Sequence, residues 1–125
     1  MEYMQLIAGG RDFSDTEWMV RHIERLIELE GRNVTIIEGD AKGADRIAGN
    51  VALQHGLKVE RYPADWDNIG KSAGFVRNKS MAERLKGHIE NGGSGSVVLF
   101  PGGRGTDHMR NTARRMGLQT FAPAR

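Results

Sequence analysis

Cysteine is absent from this chain of 125 residues. Its absence excludes disulfide bonds and thiolate metal sites, and it fits a reducing compartment. The four histidines, His22, His55, His88 and His108, lack the spacing of metal ligands. We therefore interpret each histidine as a solvated helix or turn residue, and we expect no metal.

The chain also lacks membrane, export and nucleic-acid signals. No apolar run approaches the length of a membrane span, and the first residues lack the basic start and apolar centre of a signal peptide. A cytoplasmic protein without a membrane partner is expected. The net charge is only +2, and Arg114-Arg115 is the one pair of adjacent arginines. This dispersed charge argues against nucleic acid as a partner, because nucleic acid favours a denser basic stripe.

Glycine, in contrast, is abundant, with 17 residues. That is about twice the usual share. Most of the glycines fall at the ends of apolar runs, which indicates many tight loops on a regular scaffold. At this length we expect one domain, residues 1–125, with a core of its own.

Strand and helix patterns alternate about five times along the chain. We predict strands at residues 3–8, 34–37, 57–62, 97–100 and 118–122. Helices are predicted between them, from a capping box at Ser14 to Gly31, from Ala44 to Gly56, from Ala73 onward, and after Thr106 as N-cap. Residues 63–72 are expected to be a loop, and residues 91–96 an exposed connector. This alternation predicts an α/β fold, a parallel sheet of about five strands with helices on both faces.

Three of the predicted strands end in glycine-rich loops. Their candidate ligand-binding residues are Gly9, Gly10 and Arg11, then Gly39, Lys42, Gly43, Ala44 and Asp45, and finally Gly102, Gly103, Gly105 and Thr106. In a parallel sheet these loops meet at one edge, near the point where the strand order reverses. Glycines let a ligand approach the backbone, and free N–H groups at helix starts attract anions. The sequence therefore predicts a phosphate-bearing ligand, unless these loops need glycine only for their backbone angles.

The motifs also occur in a familiar order. Residues 9–12, 39–45, 63–66, 73–81 and 102–106 together resemble the YspA-like, cpYpsA-related branch of the SLOG superfamily, found in phages and bacteria, over about residues 4–122. The resemblance implies a Rossmann-like fold that binds a nucleotide or nucleotide-derived molecule as a sensor, sequestering or processing module. It implies no other cofactor. A homodimer is plausible, and Met81, Leu85 and Ile89 offer a helix face for it, although they fit an ordinary core equally well.

A more distant resemblance concerns residues 101–106, which are similar to a loop of the lonely-guy phosphoribohydrolases. The motif of that family continues to a catalytic glutamate, and Met109 stands at its position here. A thioether cannot act as a general base. Cleavage of the N-glycosidic bond of a nucleoside monophosphate is therefore an alternative function without an assigned catalytic residue, and Asp65, Asp67 and Asp107 are the loop carboxylates considered for it. Single-stranded DNA binding is a second alternative, because a DNA-uptake family shares the superfamily fold.

Other candidate ligand-binding residues are expected at the same edge. Arg77 and Asn78 begin the third predicted helix, and we interpret them as a guanidinium for phosphate and an amide for ribose or base, because helix packing has no evident need of the pair. The alternative is a salt bridge and a local cap. Lys42 and Lys71 are candidate charges for phosphate or ordinary exposed lysines. Trp66 is expected to stack on a base, or else to plug the core or a dimer interface.

Arg11 and Asp45 each have a functional and a structural interpretation. Arg11 is expected to contact phosphate, or else to pair with Asp12 or Asp45. Asp45, at the start of the second predicted helix, fits ribose binding and helix capping equally well. The sequence does not decide whether Arg104 faces the ligand or solvent.

Overall fold

The computed structural model of the chain describes residues 2–125. It contains one five-stranded sheet in the order β3-β2-β1-β4-β5. The strands are β1 (Tyr3–Ala8), β2 (Val34–Glu38), β3 (Lys58–Arg61), β4 (Ser94–Leu99) and β5 (Thr120–Phe121), and all neighbours are parallel. The helices are α1 (Thr16–Glu30), α2 (Ala44–Gln54), α3 (Trp66–Ile69), α4 (Ala73–Glu90) and α5 (Arg104–Arg115), with a 3₁₀ turn at Gly70–Ser72. None of the helices described is long and apolar enough to cross a membrane.

The sheet buries apolar side chains on both faces, because successive residues of a strand point to opposite sides. On one face Ile7 and Phe100 pack with α1 and α2. On the other face Leu6 packs with α4 and α5, where Met81 and Leu85 are almost fully buried. The predicted parallel sheet with helices on both faces is confirmed. Met81 and Leu85 belong to its core, so this face of α4 is not free for a dimer contact.

The centre of the sheet is the point where the strand order reverses. The chain places β2 and β3 on one side of β1, and β4 and β5 on the other. Ala8 at the end of β1 pairs with Leu99 at the end of β4, and Phe100 N donates to Ala8 O at 2.8 Å. The loops that follow β1 and β4 therefore leave the sheet side by side, where open α/β sheets form a crevice.

Two segments predicted as irregular are ordered. Residues 94–96, expected to be part of an exposed connector, belong to β4, where Gly95 pairs with Met4. A Cβ at Gly95 would lie 2.3 Å from Met4 O, so close strand packing explains this glycine. The predicted loop at residues 63–72 contains α3 and the 3₁₀ turn, because the Asp65 carboxylate accepts a backbone N–H of α3 at 3.3 Å.

Two predicted helix caps fall on the wrong residue. The carboxylate of Asp15, rather than Ser14, accepts a backbone N–H of α1 at 3.0 Å. Helix α5 begins at Arg104, and Thr106 is buried inside its first turn instead of preceding it. The Thr106 hydroxyl lies against Gly102, because a Cβ on that glycine would approach Oγ1 to 2.1 Å. Packing with the preceding loop therefore takes the place of capping.

His22 is enclosed between α1 and the sheet, and the interpretation of it as a solvated residue is wrong. Its Nε2 lies 2.7 Å from Gln5 Oε1, and its ring stands edge-on to Phe100. Gln5 in turn donates to Ser96 Oγ at 3.3 Å. Burial lowers the pKa of His22 to about 4, so its imidazole is neutral at pH 7.

Candidate functional site

A pocket of about 770 Å³ opens at the carboxyl edge of the sheet. This volume lies within the range of sites for small-molecule ligands. The pocket is lined by residues 8–13 after β1, by residues 101–106 after β4, and by residues between 66 and 78 of α3, the 3₁₀ turn and α4. Ala41 and Asp45 line it from the side of β2. The pocket therefore lies at the reversal of strand order, where the sequence places it.

Most of the predicted site residues line this pocket. They are Gly9, Gly10, Arg11, Asp45, Trp66, Lys71, Arg77, Asn78, Gly102, Gly103, Gly105 and Thr106. Gly39, Lys42, Gly43 and Ala44 are not among its lining residues, and Lys42 points into solvent as an exposed side chain. Ala44 N donates to Gly10 O at 3.1 Å. The loops after β1 and β4 thus converge on the pocket. Most of the glycine loop after β2 lies outside it and contacts the loop after β1.

The glycines of the pocket are not explained by backbone angles, because none of the six that line it has a positive φ. Some are required by close packing: a Cβ on Gly10 would lie 2.9 Å from Gly102 Cα. At Gly103 and Gly105, in contrast, a Cβ would have no described atom within 4 Å apart from those of the adjoining residues and of the helix backbone. The fold leaves this space free beside the pocket, and Gly105 holds a helical position that alanine would favour by about 1 kcal/mol.

Positive charge surrounds the pocket. Gly103 is the N-cap of α5 and offers no side-chain cap, so the first N–H groups of that helix remain available to an anion. Arg11, Lys71 and Arg104 line the pocket as exposed side chains. Within residues 2–125, none of these three cations forms an ion pair, so the predicted pairing of Arg11 with an aspartate does not occur.

Arg77 lies half-buried in the pocket and is fixed by two hydrogen bonds. Its Nη1 donates to Gly39 O, and its Nε donates to Asn78 Oδ1 at 3.1 Å. These bonds use two of the five guanidinium N–H groups, and the others remain for a ligand. Burial lowers the pKa of Arg77, whereas the nearby charge of Asp45 raises it, and the guanidinium stays charged at neutral pH.

Asp45 is the buried carboxylate of the pocket, with 5% of its surface exposed. Its Oδ2 accepts from Ala41 N at 3.4 Å, but in the described chain Oδ1 has no hydrogen-bond partner. Burial raises the pKa of Asp45 to about 6, and the charge of Glu38 adds to that effect while the charge of Arg77 opposes it. Gly43, not Asp45, is the N-cap of α2. Because a buried oxygen without a partner is costly, Oδ1 is an acceptor suited to a ligand hydroxyl or amine.

Asn78 holds α4 and α5 together. Its Nδ2 donates to Gly105 O at 3.2 Å and lies 3.2 Å from His108 Nδ1, while its Oδ1 accepts from Arg77. The expectation that helix packing has no need of this residue is therefore wrong. Asn78 therefore positions Arg77 and joins α4 to Gly105, and its contact with ribose or base stays a prediction.

We expect Asn78→Ala to lower the free energy of unfolding by about 1–3 kcal/mol, because the Gly105 carbonyl and the Arg77 side chain each lose a partner. Chemical denaturation measures this loss. Ser80→Ala, an exposed position on the same helix, is the control and should change stability by less than about 0.5 kcal/mol. Equal stability of the two variants would contradict the bridging role of Asn78.

The sequence analysis missed Glu38, the last residue of β2, although an acidic residue after an apolar strand was a visible signal. Glu38 is fully buried; its Oε2 accepts from Arg61 Nε at 2.7 Å, and its Oε1 accepts from Asp40 N at 2.5 Å. Burial raises the pKa of Glu38, although these hydrogen bonds oppose the effect. Glu38 thus fixes the start of the loop that leads to Asp45.

An aromatic rim, defined as Trp66 and Phe75, borders the pocket. The two residues are 48% and 43% exposed, so Trp66 is not a plug of the core. The ring of Trp66 lies close to Gly74, where a Cβ would be 3.3 Å from Trp66 Cη2. Phe75 stacks on His108 with 4.1 Å between ring centroids. Sequence analysis missed Phe75. The signal that could have identified it is an aromatic residue outside the apolar face of α4.

The residues considered for hydrolysis lie outside the pocket. Met109, at the position of the lonely-guy glutamate, is fully buried in the core between the sheet, α4 and α5. Asp65, Asp67 and Asp107 are not among the residues that line the pocket. Asp65 caps α3, and Asp107 forms an exposed ion pair within α5.

Three comparisons with known proteins agree with this architecture. The model of the YspA, cpYpsA-related SLOG family (YAcAr) matches residues 6–68. Gene 61 protein of Mycobacterium phage D29 is 31% identical over 120 residues, which cover 90% of each chain. DNA processing protein A (DprA) from Streptococcus pneumoniae has a similar structure, with a TM-score of 0.69 and 19% identity over 99% of this chain. This chain spans only 51% of that DprA chain, and at such identity the likeness shows the fold alone.

Proposed function

Because the chain belongs to the YspA, cpYpsA-related SLOG family, we propose that its pocket binds a nucleotide or a nucleotide-derived small molecule. The observation that supports this proposal is that one pocket combines an anion-binding surface with a buried hydrogen-bond acceptor. An anion cradle formed by the loops after β1 and β4 lies beside the buried, unpaired Oδ1 of Asp45. A nucleotide has both an anionic phosphate and hydroxyl groups that can donate to such an oxygen.

The phosphate lies against Gly103 and Gly105 in this proposal. The space for a side chain is open at both positions, and the N–H groups of the first turn of α5 are available there. Arg77, which also lines the pocket, donates to the phosphate, and the exposed Arg11 adds a second guanidinium. Hydrogen bonds between guanidinium and phosphate are charge-assisted and therefore stronger than neutral ones.

The sugar and the base occupy the rest of the pocket. A ribose hydroxyl donates to Asp45 Oδ1, which gives that oxygen the partner it lacks within the chain. The base lies at the aromatic rim, where the exposed faces of Trp66 and Phe75 favour stacking.

Two substitutions are expected to weaken or abolish nucleotide binding without unfolding the protein. Arg77→Ala should weaken binding of 5′-AMP by about 10-fold or more, because a charged hydrogen-bond donor is lost. Gly105→Val should abolish binding, because it fills the space left for phosphate. Its melting temperature should not fall, since apart from the adjoining residues and the helix backbone no described atom lies within 4 Å of the added Cβ. Thermal shift and isothermal titration calorimetry measure these effects.

Gly87→Val is the matched control, because Gly87 is also a helical glycine with open space around it but lies outside the pocket. It should bind 5′-AMP like the wild type. If Arg77→Ala and Gly105→Val also bind like the wild type, the site assignment is wrong. ADP-ribose and NAD belong to the same screen, and chromatography of the recovered ligand distinguishes binding from cleavage to base and ribose phosphate. Binding of a single-stranded oligonucleotide without any nucleotide would instead favour the DNA-binding alternative.

A further inference from the structure

A second concavity of about 440 Å³ lies between α4 and α5, and we call it the α4–α5 groove. Its lining residues are Phe75, Val76 and Lys79 on the α4 side and His108, Thr112, Arg115 and Met116 on the α5 side. They recur every three or four residues, as the facing sides of two helices require. Phe75 lines both this groove and the nucleotide pocket, so the two concavities adjoin.

The α4–α5 groove has an apolar floor and a positively charged rim. Val76 is 45% exposed, and Met116 lies opposite it on the other helix. Lys79 and Arg115 supply the charge; no acidic residue lines the groove, and in the described chain neither cation forms an ion pair. Burial lowers the pKa of His108, and the positive charge of Arg115 adds to this effect.

Thr112 contributes an unused polar group to the same groove. Its side chain is 5% exposed, and Oγ1 has no hydrogen-bond partner within residues 2–125. A buried hydroxyl without a partner costs free energy in apolar surroundings. The groove therefore combines two free cations, an apolar floor and an unsatisfied hydroxyl, which suits a ligand that is anionic and partly apolar.

We propose that the α4–α5 groove binds the second unit of a linear dinucleotide whose first unit occupies the pocket. This inference rests on the proposed function. A second nucleotide unit has the required chemistry, because its phosphate complements Lys79 and Arg115 and its base covers the apolar floor. Because Phe75 borders both concavities, one ligand can extend from the pocket into the groove, with the exposed ring of Phe75 between its two units.

Calorimetric titrations of 5′-AMP, ATP and the 5′-phosphorylated dinucleotide pApA test this inference. The wild type is expected to bind pApA about 10-fold more tightly than 5′-AMP. Lys79→Ala and Arg115→Ala should each remove most of that gain and leave the affinity for 5′-AMP unchanged. Arg114→Ala is the matched control, because it removes the same charge from the adjacent exposed residue of α5, outside the groove.

The possible outcomes separate this inference from the proposed function. Equal affinities for pApA and 5′-AMP overturn the inference and leave the proposed function intact, whereas no binding of any nucleotide overturns both. If ATP shows the same gain and loses it in Lys79→Ala, the groove binds phosphate alone and a second nucleoside is excluded. Light scattering tests whether a second copy of the chain occupies the groove instead. If the wild type is a dimer that Val76→Glu dissociates, the groove is an interface between two copies and the inference is overturned.

Discussion

Replacement of Gly43 by alanine is expected to destabilise the fold by at least about 3 kcal/mol. Gly43 caps α2 with φ of 91° and ψ of −131°, a conformation that residues with a Cβ rarely adopt. The added Cβ would also lie 2.3 Å from Gly10 O and 2.6 Å from Arg11 O. Both contacts are with backbone atoms, which cannot rotate away as a side chain does, so α2 or the loop after β1 has to move.

Gly56→Ala is the control for the positive φ of Gly43. Gly56 also has a positive φ, 77°, but no atom lies within 4 Å of its missing Cβ. This control therefore carries only the backbone cost, about 1–2 kcal/mol. Urea denaturation of both variants gives the additional loss at Gly43, which combines the clash with the cost of its ψ of −131°. Because Gly10 lines the pocket, Gly43→Ala should also bind 5′-AMP more weakly than Gly56→Ala. Equal losses of stability in the two variants would contradict the contact between these loops.

The type and order of most elements could be predicted from the sequence, because local patterns determine them. Buried parallel strands such as β2 are rich in β-branched and apolar residues, and a glycine marks the end of α1. The helix caps could not be predicted, since they depend on which side chain tertiary packing leaves free. Asp15 caps α1 in place of Ser14, and Thr106 is enclosed against Gly102 and cannot precede α5.

The location of the pocket also followed from the sequence, because parallel strands bring their carboxyl ends to one edge. Which loops face each other there depends on strand order, which no local pattern encodes. Asn78 meets Gly105 O across 27 residues of sequence. Its role as a bridge between helices is therefore invisible in the Arg77-Asn78 motif. The ion pair of Glu38 could not be predicted for the same reason, since its partner Arg61 lies on the neighbouring strand β3.

The pH dependence of stability is expected to have opposite signs in Asp45→Asn and His22→Gln. Burial raises the pKa of Asp45 from 3.8 to about 6, so the folded chain holds this proton more tightly than the unfolded chain. Its contribution to stability therefore falls as the pH rises between those two values. Burial lowers the pKa of His22 from 6.5 to about 4, so its contribution to stability rises as the pH rises across nearly the same range.

These two contributions oppose each other in the wild type, and each substitution leaves one of them alone. Asp45→Asn should therefore gain stability as the pH rises from about 4 to about 6.5, while His22→Gln should lose it. Burial also raises the pKa of Glu38, so this residue reduces the gain in Asp45→Asn and adds to the loss in His22→Gln. A change of one in pKa corresponds to about 1.4 kcal/mol. The free energy of unfolding of each variant should therefore change by about 2–3 kcal/mol between the two ends of this pH range.

Calorimetric melting temperatures at constant ionic strength, from about pH 4 to about pH 7, measure both slopes. The slope, rather than the melting temperature at one pH, is the diagnostic quantity for Asp45→Asn, because Arg77 also loses a nearby opposite charge in that variant. The same variant tests the site: asparagine keeps an acceptor but loses the negative charge, so 5′-AMP should bind about 10-fold more weakly if its hydroxyl donates to Oδ1. If the melting temperature of Asp45→Asn depends on pH as that of the wild type does, burial does not raise the pKa of Asp45. If Asp45→Asn binds 5′-AMP with wild-type affinity, Asp45 does not contact the ligand.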